Sequence, residues 1–246
     1  MDDKPNSYGT LYLLPTLLGG DDMGIIAPQT RQIAVSLSYF IVENARTTRR
    51  HLLKMGLKES GKMINELSLR ELDKHSTLDT RALDTLLQPL IDGYDMGLMS
   101  EAGCPAIADP GNALVRRAHE RGIVVAPMVG TSSLLLALMA SGMNGQQFAF
   151  NGYLPQNREA RIKRIKQLEL RALREQQTQL FIETPYRNQS LVADLLQHCQ
   201  ADTRLCIASQ LTLPDQYIRT LLIAQWRSLH SIPDWHKKML VFVLGS

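Results

Sequence analysis

Two loops rich in small residues are the part of this sequence whose composition best suits a chemical site. The first, at residues 100–111 (S-E-A-G-C-P-A-I-A-D-P-G), follows a short apolar stretch and leads into a helix, with Asp109 as expected N-cap and Pro110 as first residue. The second, at residues 129–133, leads into a helix that Ser132 or Ser133 caps. Small residues let a ligand approach the backbone, and helix N-termini favour electronegative groups, so both loops predict a ligand site. An ordinary strand-to-helix connection is the alternative.

The apolar patterns of the first half predict the elements that position these loops. Near-continuous apolar runs are typical of parallel strands buried on both faces, and α/β sheets bind ligands at the carboxyl ends of such strands. The segment at residues 58–76 is polar and predicts no regular element. Strands are expected at residues 11–15, 38–42, 97–99 and 123–128, and helices at residues 28–35, 47–55 (capped by Thr47 or Thr48), 77–91, 110–121 and 134–141.

The second half predicts a mixed α+β arrangement, because several of its strands follow one another without a helix between them. Residues 148–155 are interpreted as a connector. This places an N-terminal α/β domain at residues 1–150 and a C-terminal mixed α/β domain at residues 151–246. Strands are expected at residues 179–183, 204–209, 217–223 and 238–244, and helices at residues 158–176, 187–198 and 223–229.

The helix expected at residues 158–176 carries more basic than acidic side chains. Such a helix either meets a polyanion through phosphate contacts or simply presents a solvated charged face. Composition alone slightly favours the solvated face.

Composition excludes several classes of protein. The chain has 246 residues, of which 44% are hydrophobic and 21% charged, with a net charge of +3, as in ordinary globular proteins. Apolar runs of membrane-spanning length are absent, and the polar, acidic N-terminus argues against a secretory signal. The three cysteines and six histidines show neither disulfide nor metal-ligand spacing, so we expect a cytoplasmic protein without a metal site.

Five segments, in order, resemble the motifs of one bacterial methyltransferase family. Residues 12–16 (Y-L-L-P-T), 100–111, 130–133 (G-T-S-S), 148–155 (F-A-F-N-G-Y-L-P) and 181–187 (F-I-E-T-P-Y-R) are similar to the family's L-Y-x-V-P-T, S-D-A-G-T-P-x-I-S-D-P-G, P-G-P-S-A, F-x-F-x-G-F-L-P and F-Y-E-S-P-H-R. On this basis the chain is identified as a diverged member of the S-adenosylmethionine-dependent 16S ribosomal RNA ribose 2′-O-methyltransferases. These enzymes belong to the wider tetrapyrrole (corrin and porphyrin) methylase superfamily, and the resemblance covers nearly the whole chain.

The resemblance implies a two-domain tetrapyrrole-methylase-like α/β fold, with a parallel-sheet N-terminal domain and a mixed-sheet C-terminal domain. It also implies that S-adenosyl-L-methionine is the methyl donor and lies in the interdomain cleft, that ribosomal RNA or the small ribosomal subunit is the partner, and that the protein is a homodimer. The implied donor contacts are mainly backbone or apolar: Pro15, Gly103, Cys104, Pro105, Ile107, Thr131, Ser132, Ser133, Thr184, Ala208, Leu211 and Met239.

The charged positions depart from the family pattern more than the donor loops do. Residues 208–213 read A-S-Q-L-T-L in place of A-R-E-L-T-K, residues 42–46 read V-E-N-A-R in place of A-E-D-T-R, and residues 236–238 read H-K-K in place of K-G-E. The donor is therefore better supported by the resemblance than the acceptor.

Candidates for handling the acceptor are Glu101, Glu43 and Arg46, with Lys238 as a weaker one. Glu101 stands where the family carries Asp, and the alternative for it is a carboxylate that accepts hydrogen bonds from neighbouring N–H groups. Arg46 either holds a phosphate or pairs with Glu43. A poor nucleophile such as a ribose hydroxyl benefits from a general base, which the sequence does not single out.

Three functions follow as hypotheses. The first is ribose 2′-O-methylation of small-subunit ribosomal RNA, which the basic helix and the motifs favour. The second is methylation of a small acceptor such as a tetrapyrrole. The third, motivated by the altered residues 208–213, is donor binding with lost catalysis.

Overall fold

The structure, a computed structural model, describes residues 8–72 and 79–246. The chain divides into two compact units, one that ends at Ser132 and one that begins at Ser133. No helix within the described residues is long and apolar enough to cross a membrane.

The first unit alternates strands and helices. It contains β1 (Leu11–Leu13), α1 (Pro28–Ser36), β2 (Tyr39–Val42), α2 (Ala45–Lys54), β3 (Ser68–Glu71), α3 (Thr80–Ile91), β4 (Met96–Met99), α4 (Asn112–Glu120) and β5 (Val125–Pro127), with 3-10 turns at Met23–Ile25 and Ile64–Glu66. All strand pairs are parallel and their order is β3-β2-β4-β1-β5. The expected parallel α/β sheet is confirmed.

The period of two along the strands divides the core of this unit into two layers. Ile41 and Leu98 pack with the apolar residues of α3 and α4. Phe40, Val42 and Met99 pack with those of α1 and α2. Because β4, β1 and β5 are neighbours, the loops that follow them leave the sheet at the same edge.

The second unit is built on a mixed sheet. Its elements are α5 (Ser133–Ser141), β6 (Phe148–Tyr153), α6 (Arg158–Glu175), β7 (Thr178–Ile182), α7 (Asn188–His198), β8 (Arg204–Ser209), β9 (Tyr217–Leu222), α8 (Ile223–Arg227) and β10 (Leu240–Gly245). The strand order is β6-β7-β10-β8-β9, where only the pair β6 and β7 is parallel. Its core joins α6, α7 and α8 to the sheet through side chains such as Phe181, Phe242 and Trp226.

Two helix starts in the first unit differ from expectation. Helix α2 is capped by Asn44, whose Oδ1 accepts a hydrogen bond from the Thr47 N–H at 3.0 Å, and not by Thr47 or Thr48. Helix α4 begins at Asn112 with Gly111 as N-cap at φ 135°, so Asp109 and Pro110 precede it. A side chain rarely adopts that φ, so glycine fixes the start of α4 two residues later than the proline suggested.

Two strands were missed because they lack the expected apolar pattern. The segment expected to be irregular contains β3, and the expected connector is strand β6, which pairs with β7. Both strands lie at a sheet edge, where one side needs no partner and polar residues are tolerated. The division into domains after residue 150, which falls within β6, stays a prediction. The first residues of the helix expected at 77–91 lie outside the described residues.

Candidate active site

The loop that follows β4 has a backbone that small residues make possible. Gly103 has φ +75°, and its carbonyl accepts a hydrogen bond from the Thr16 N–H at 2.9 Å. Ala106 and Ala108 both have φ 64°. Left-handed conformations of residues other than glycine cost free energy and recur at ligand sites. The small residues therefore have two effects. They allow the backbone conformation of this loop, and they leave its backbone accessible to a ligand.

The loop that follows β5 lies directly against the end of β1. A Cβ placed on Gly130 would come within 2.2 Å of Pro15 Cβ, so only glycine allows this approach. The Thr131 hydroxyl donates to the Thr16 carbonyl at 3.2 Å, and the Cys104 thiol donates to the Thr131 carbonyl at 3.3 Å. Three loops, after β1, β4 and β5, are thus held together, whereas the sequence predicted such a meeting only for the loops after β4 and β5.

Cys104 acts here as a neutral hydrogen-bond donor. Partial burial raises the pKa of its thiol above the usual range. A thiol needs a lowered pKa to act as a nucleophile near neutral pH. We therefore assign Cys104 to the wall of the site and not to covalent catalysis.

A cavity of about 580 Å³ opens in the first unit beside these loops. Its volume lies in the range of small-molecule pockets, and its lining is largely apolar. Pro15, Cys104, Pro105 and Ile107, four of the residues expected to contact the donor, lie in its wall. Helix α4 contributes a further wall that was not predicted from the sequence, formed by Asn112, Val115, Arg116 and His119. Their spacing of i, i+3, i+4 and i+7 is the signal that identifies one face of a helix after a ligand loop.

The two candidate carboxylates meet where β2 and β4 end. Glu43 Oε2 accepts a hydrogen bond from the Glu101 N–H at 2.8 Å. Glu101 Oε1 accepts one from the Thr47 hydroxyl on α2 at 3.4 Å. Glu43 thus fixes the backbone of Glu101, and Thr47 orients its side chain. Arg46, the third candidate, is exposed on the same helix.

His51 is a titratable neighbour of this pair that the sequence analysis did not single out. It lies one helical turn beyond Thr47 and is half-buried. Burial lowers the pKa of its imidazole, with Lys54 adding to the effect, while a hydrogen bond with the Glu101 backbone opposes it. The position was detectable from the i, i+4 spacing of Thr47 and His51 on one face of α2.

The motif that follows β7 in the second unit is fixed by its own charges. Glu183, which is buried, accepts hydrogen bonds from the Thr184 N–H at 2.7 Å and from Arg187 Nε at 3.0 Å. The Arg187 N–H donates to the Thr184 carbonyl at 2.9 Å. The expected donor contact at Thr184 therefore sits in a turn whose geometry an ion pair determines.

The other expected contacts of the second unit lie on neighbouring strands. Leu211 follows β8 and Met239 precedes β10, and the Gln210 N–H donates to the Met239 carbonyl at 3.1 Å. Ala208 is buried within β8, opposite Val241. The sheet thus brings Thr184, Leu211 and Met239 to the edge where β7 and β8 end and β10 begins.

Lys238, the weaker acceptor candidate, has an acidic partner. Its Nζ lies 2.6 Å from Asp215 Oδ2, and this hydrogen bond lowers the pKa of the aspartate. The departure of residues 208–213 from the family pattern coincides with backbone positions at positive φ, 51° at Gln210 and 70° at Thr212. Nothing in the structure explains why the arginine, acid and lysine of the family pattern are replaced there.

Several arginines of the basic helix α6 are used within the second unit. Arg161 is buried and its Nη2 lies 2.6 Å from Asp194 Oδ2, and Arg158 Nε lies 3.0 Å from the other oxygen of the same aspartate. Arg164 donates to Asn151 at 2.9 Å. This part of the basic pattern is structural, which reduces the surface that α6 offers to a polyanion.

Among residues 8–72 and 79–246, no group of three His, Cys, Asp or Glu side chains is arranged to hold a metal ion.

The residues expected to contact the donor are divided between the two units. The first unit contains Pro15, Gly103, Cys104, Pro105, Ile107 and Thr131. Ser132 is the last residue of the first unit, and Ser133 is the first of the second.

Sequence comparison relates the chain to curated methyltransferases. It is 27% identical over 243 residues to ribosomal RNA small subunit methyltransferase I of Vibrio cholerae, which covers 98% of this chain and 79% of that protein. Identity to the Pseudomonas aeruginosa protein of the same name is 30% over 229 residues, covering 93% and 73%. Identity to the Xylella fastidiosa protein is 34% over 187 residues, covering 76% and 63%. No protein-family model matches the chain.

Comparison with solved structures gives the fold. The crystal structure of the methyltransferase CobJ superposes with a TM-score of 0.60 at 16% identity, covering 97% of this chain and 94% of that one. Uroporphyrin-III-C-methyltransferase from Thermus thermophilus gives 0.53 at 16% identity, covering 96% and 92%. At such identities the likeness concerns the fold alone. It confirms the expected two-domain tetrapyrrole-methylase-like architecture.

Proposed function

Because the chain belongs to the family of ribosomal RNA small subunit methyltransferase I, we propose that it methylates a ribose 2′-hydroxyl of small-subunit ribosomal RNA with S-adenosyl-L-methionine as donor. The chain is a methyltransferase by this membership. The names of its relatives and the motifs that the sequence shares with the family support ribosomal RNA as the acceptor.

The observation that carries the proposal is the junction of three loops beside an apolar cavity. Gly130 allows the loop after β5 to touch Pro15, and Gly103 bridges to Thr16. The cavity walls are largely apolar, with Pro15, Pro105 and Ile107 among them, and such walls suit van der Waals contact with the face of an adenine ring. We propose that the wall residues Pro15, Cys104, Pro105 and Ile107 hold it, and that Thr184, Ala208, Leu211 and Met239 of the second unit contribute as well.

The chemistry requires alignment and the removal of one proton. A bound sulfonium donor supplies an already activated methyl group, so the protein mainly has to align the acceptor oxygen with it. We propose that the acceptor oxygen forms a bond to the methyl carbon as the S–CH3 bond breaks and leaves a neutral thioether, and that the Glu101 carboxylate accepts the hydroxyl proton. Glu43 is a positioning residue in this scheme, since it binds the Glu101 N–H at 2.8 Å.

Calorimetry with S-adenosyl-L-methionine, followed by transfer of a radiolabelled methyl group to undermodified small ribosomal subunits, tests the proposal. The label is expected in the RNA, on a ribose that resists alkaline cleavage of the adjacent phosphodiester. Donor binding without labelled RNA contradicts the RNA activity, and transfer to a tetrapyrrole acceptor in its place supports the second hypothesis. A protein that binds no donor contradicts the whole scheme.

We further propose a homodimer that acts in the cytoplasm and needs no metal for donor binding. The resemblance of the sequence to the family supports the first two points. The third rests on the chemistry, because an activated sulfonium requires no Lewis acid. Dialysis against EDTA is expected to leave the calorimetric affinity for the donor unchanged, and loss of affinity that a divalent ion restores contradicts this.

A further inference from the structure

The outward side of α2 carries three exposed arginines, Arg46, Arg49 and Arg50, which we call the α2 arginine face. Their spacing of i, i+3 and i+4 places them on one side of the helix. The opposite side contributes Thr48 and Leu52 to the core. The helix sequence, A-R-T-T-R-R-H-L-L-K, contains no acidic residue.

The charges of this face are only weakly compensated within the described residues: Arg50 interacts with Asp21 at longer range, but the direct partner of Asp21 is Lys54. Over residues 8–72 and 79–246, none of the three guanidinium groups forms an ion pair, whereas the neighbouring Lys54 pairs with Asp21. Arg46 lies in the first turn, where the helix dipole disfavours a cation, and Arg46 and Arg50 repel each other at i, i+4. A local arrangement that lowers helix stability without an internal partner is typical of a functional surface.

The α2 arginine face begins beside the candidate acceptor site. Helix α2 starts two residues after Glu43, with Asn44 as its cap. Thr47, in the same first turns, donates to Glu101. A nucleotide whose ribose reaches Glu101 therefore has its flanking backbone next to this face.

We propose that the α2 arginine face binds the phosphates of the acceptor RNA next to the methylated nucleotide. This inference rests on the proposed function and names the surface through which that site holds its substrate. Guanidinium groups are suited to this because they bind phosphate oxygens in pairs and stay charged at any physiological pH. The basic helix α6 is less suited, since Arg158 and Arg161 are bound to Asp194.

The double variant Arg49→Gln/Arg50→Gln tests the inference, with Lys163→Gln/Lys166→Gln on α6 as a control of equal charge change. Lys163 and Lys166 are exposed and, among the described residues, form no ion pair. Affinity for a small-subunit RNA fragment is measured by fluorescence anisotropy at several salt concentrations, and donor affinity by calorimetry. A third variant, Arg49→Lys/Arg50→Lys, keeps the charge.

We expect the α2 double variant to bind RNA about tenfold more weakly or worse, with donor affinity unchanged. Loss of two single-strand phosphate contacts lowers the slope of log affinity against log salt by about 1.4, at about 0.7 for each contact. The lysine variant is expected to retain the slope. Wild-type affinity in the α2 double variant, or an equal loss in the α6 control, overturns the inference. Wild-type protein that binds RNA through α2 but transfers no methyl group contradicts the proposed reaction and leaves the RNA surface standing.

Discussion

Glu101 is held at two points, its backbone N–H and one oxygen of its carboxylate. Its own N–H is bound by Glu43, and its Oε1 accepts from the Thr47 hydroxyl. In the proposed reaction Glu43 positions the backbone and Glu101 accepts the proton.

Substitution of Glu101 by Gln is expected to lower kcat for methyl transfer by about 10²- to 10⁴-fold, the usual contribution of a general base. Donor affinity measured by calorimetry should stay the same, because Gln keeps the shape of the side chain. Glu101→Asp keeps the carboxylate and has the residue type of the family, so it should retain most activity. Normal transfer by the Gln variant removes Glu101 from the mechanism.

His51 predicts a pH dependence of stability. Burial, with Lys54 adding to the effect, lowers the pKa of this histidine in the folded protein below its unfolded value, so the unfolded chain binds a proton more readily. The stability that the neutral histidine contributes is therefore present above the unfolded pKa and is lost as the pH falls through about 6.5 toward the folded pKa.

In urea titrations, His51→Gln should lose less free energy of unfolding between pH 7.5 and pH 5.5 than the wild type does. His230→Gln, at an exposed position, serves as the control for the loss of a histidine. Identical profiles for His51→Gln and the wild type would show that the histidine is not a source of the pH dependence.

At the scale of elements, the candidate site is shaped by the loops that follow β1, β4 and β5. The loops after β1, β4 and β5 are joined by hydrogen bonds between Thr16, Gly103 and Thr131, residues that are distant in sequence. Their small residues permit close backbone contact, and of the three strands beneath them β4 is fully buried. We therefore expect a change in these loops to affect donor binding more than it affects the core.

Gly130→Ala tests this at the junction with the smallest space. The new Cβ would meet Pro15 Cβ at 2.2 Å and Cγ at 2.5 Å, so the loop after β5 must move. Overpacking of this kind lowers the free energy of unfolding by about 1–3 kcal/mol. Because the displaced loop belongs to the proposed donor site, we expect donor binding in calorimetry to weaken by about fivefold or more, which is about 1 kcal/mol. Gly145→Ala is the matched control, because no atom lies within 4 Å of its added Cβ. Equal donor affinity in the Gly130→Ala and Gly145→Ala variants would show that the contact between Gly130 and Pro15 is not part of the donor site.

At the scale of the whole molecule, the helix α5 is apolar on more than its packed side. It contacts β8, β9 and β10, while Leu135 and Met139 remain 51% and 78% exposed. A helix that is apolar all round is normally buried, and a second copy of the chain would cover this side. The exposed side chains thus add a physical reason for the proposed homodimer.

Light scattering after size exclusion is expected to give a mass of two chains for the wild type. Leu135→Glu/Met139→Glu should reduce it to one chain, because two carboxylates cannot be buried without partners. Leu170→Glu, on an exposed position of α6, controls for the added charge. A wild-type protein with the mass of one chain rules out the dimer.

Local sequence determined most of the elements and the composition of the site. The strand at Arg204–Ser209 and the helix at Asn188–His198 follow from patterns of apolar residues within a few positions of each other. The motif resemblance indicated the fold and the family, and the small-residue composition indicated the loops after β4 and β5 as ligand loops. Both depend on residue order and type alone.

Tertiary contacts decided what local patterns do not encode. Arg161 looks like any other basic residue of α6 until Asp194, 33 residues away, turns it into part of the core. The edge strands β3 and β6 form because β2 and β7 supply hydrogen-bond partners. The sequences of β3 and β6 alone do not have the pattern of a strand. The role of Gly130 depends on Pro15, at the far end of the unit in sequence. Periodicity and capping are properties of adjacent residues, whereas exposure, ion pairing and close approach are properties of the folded surface.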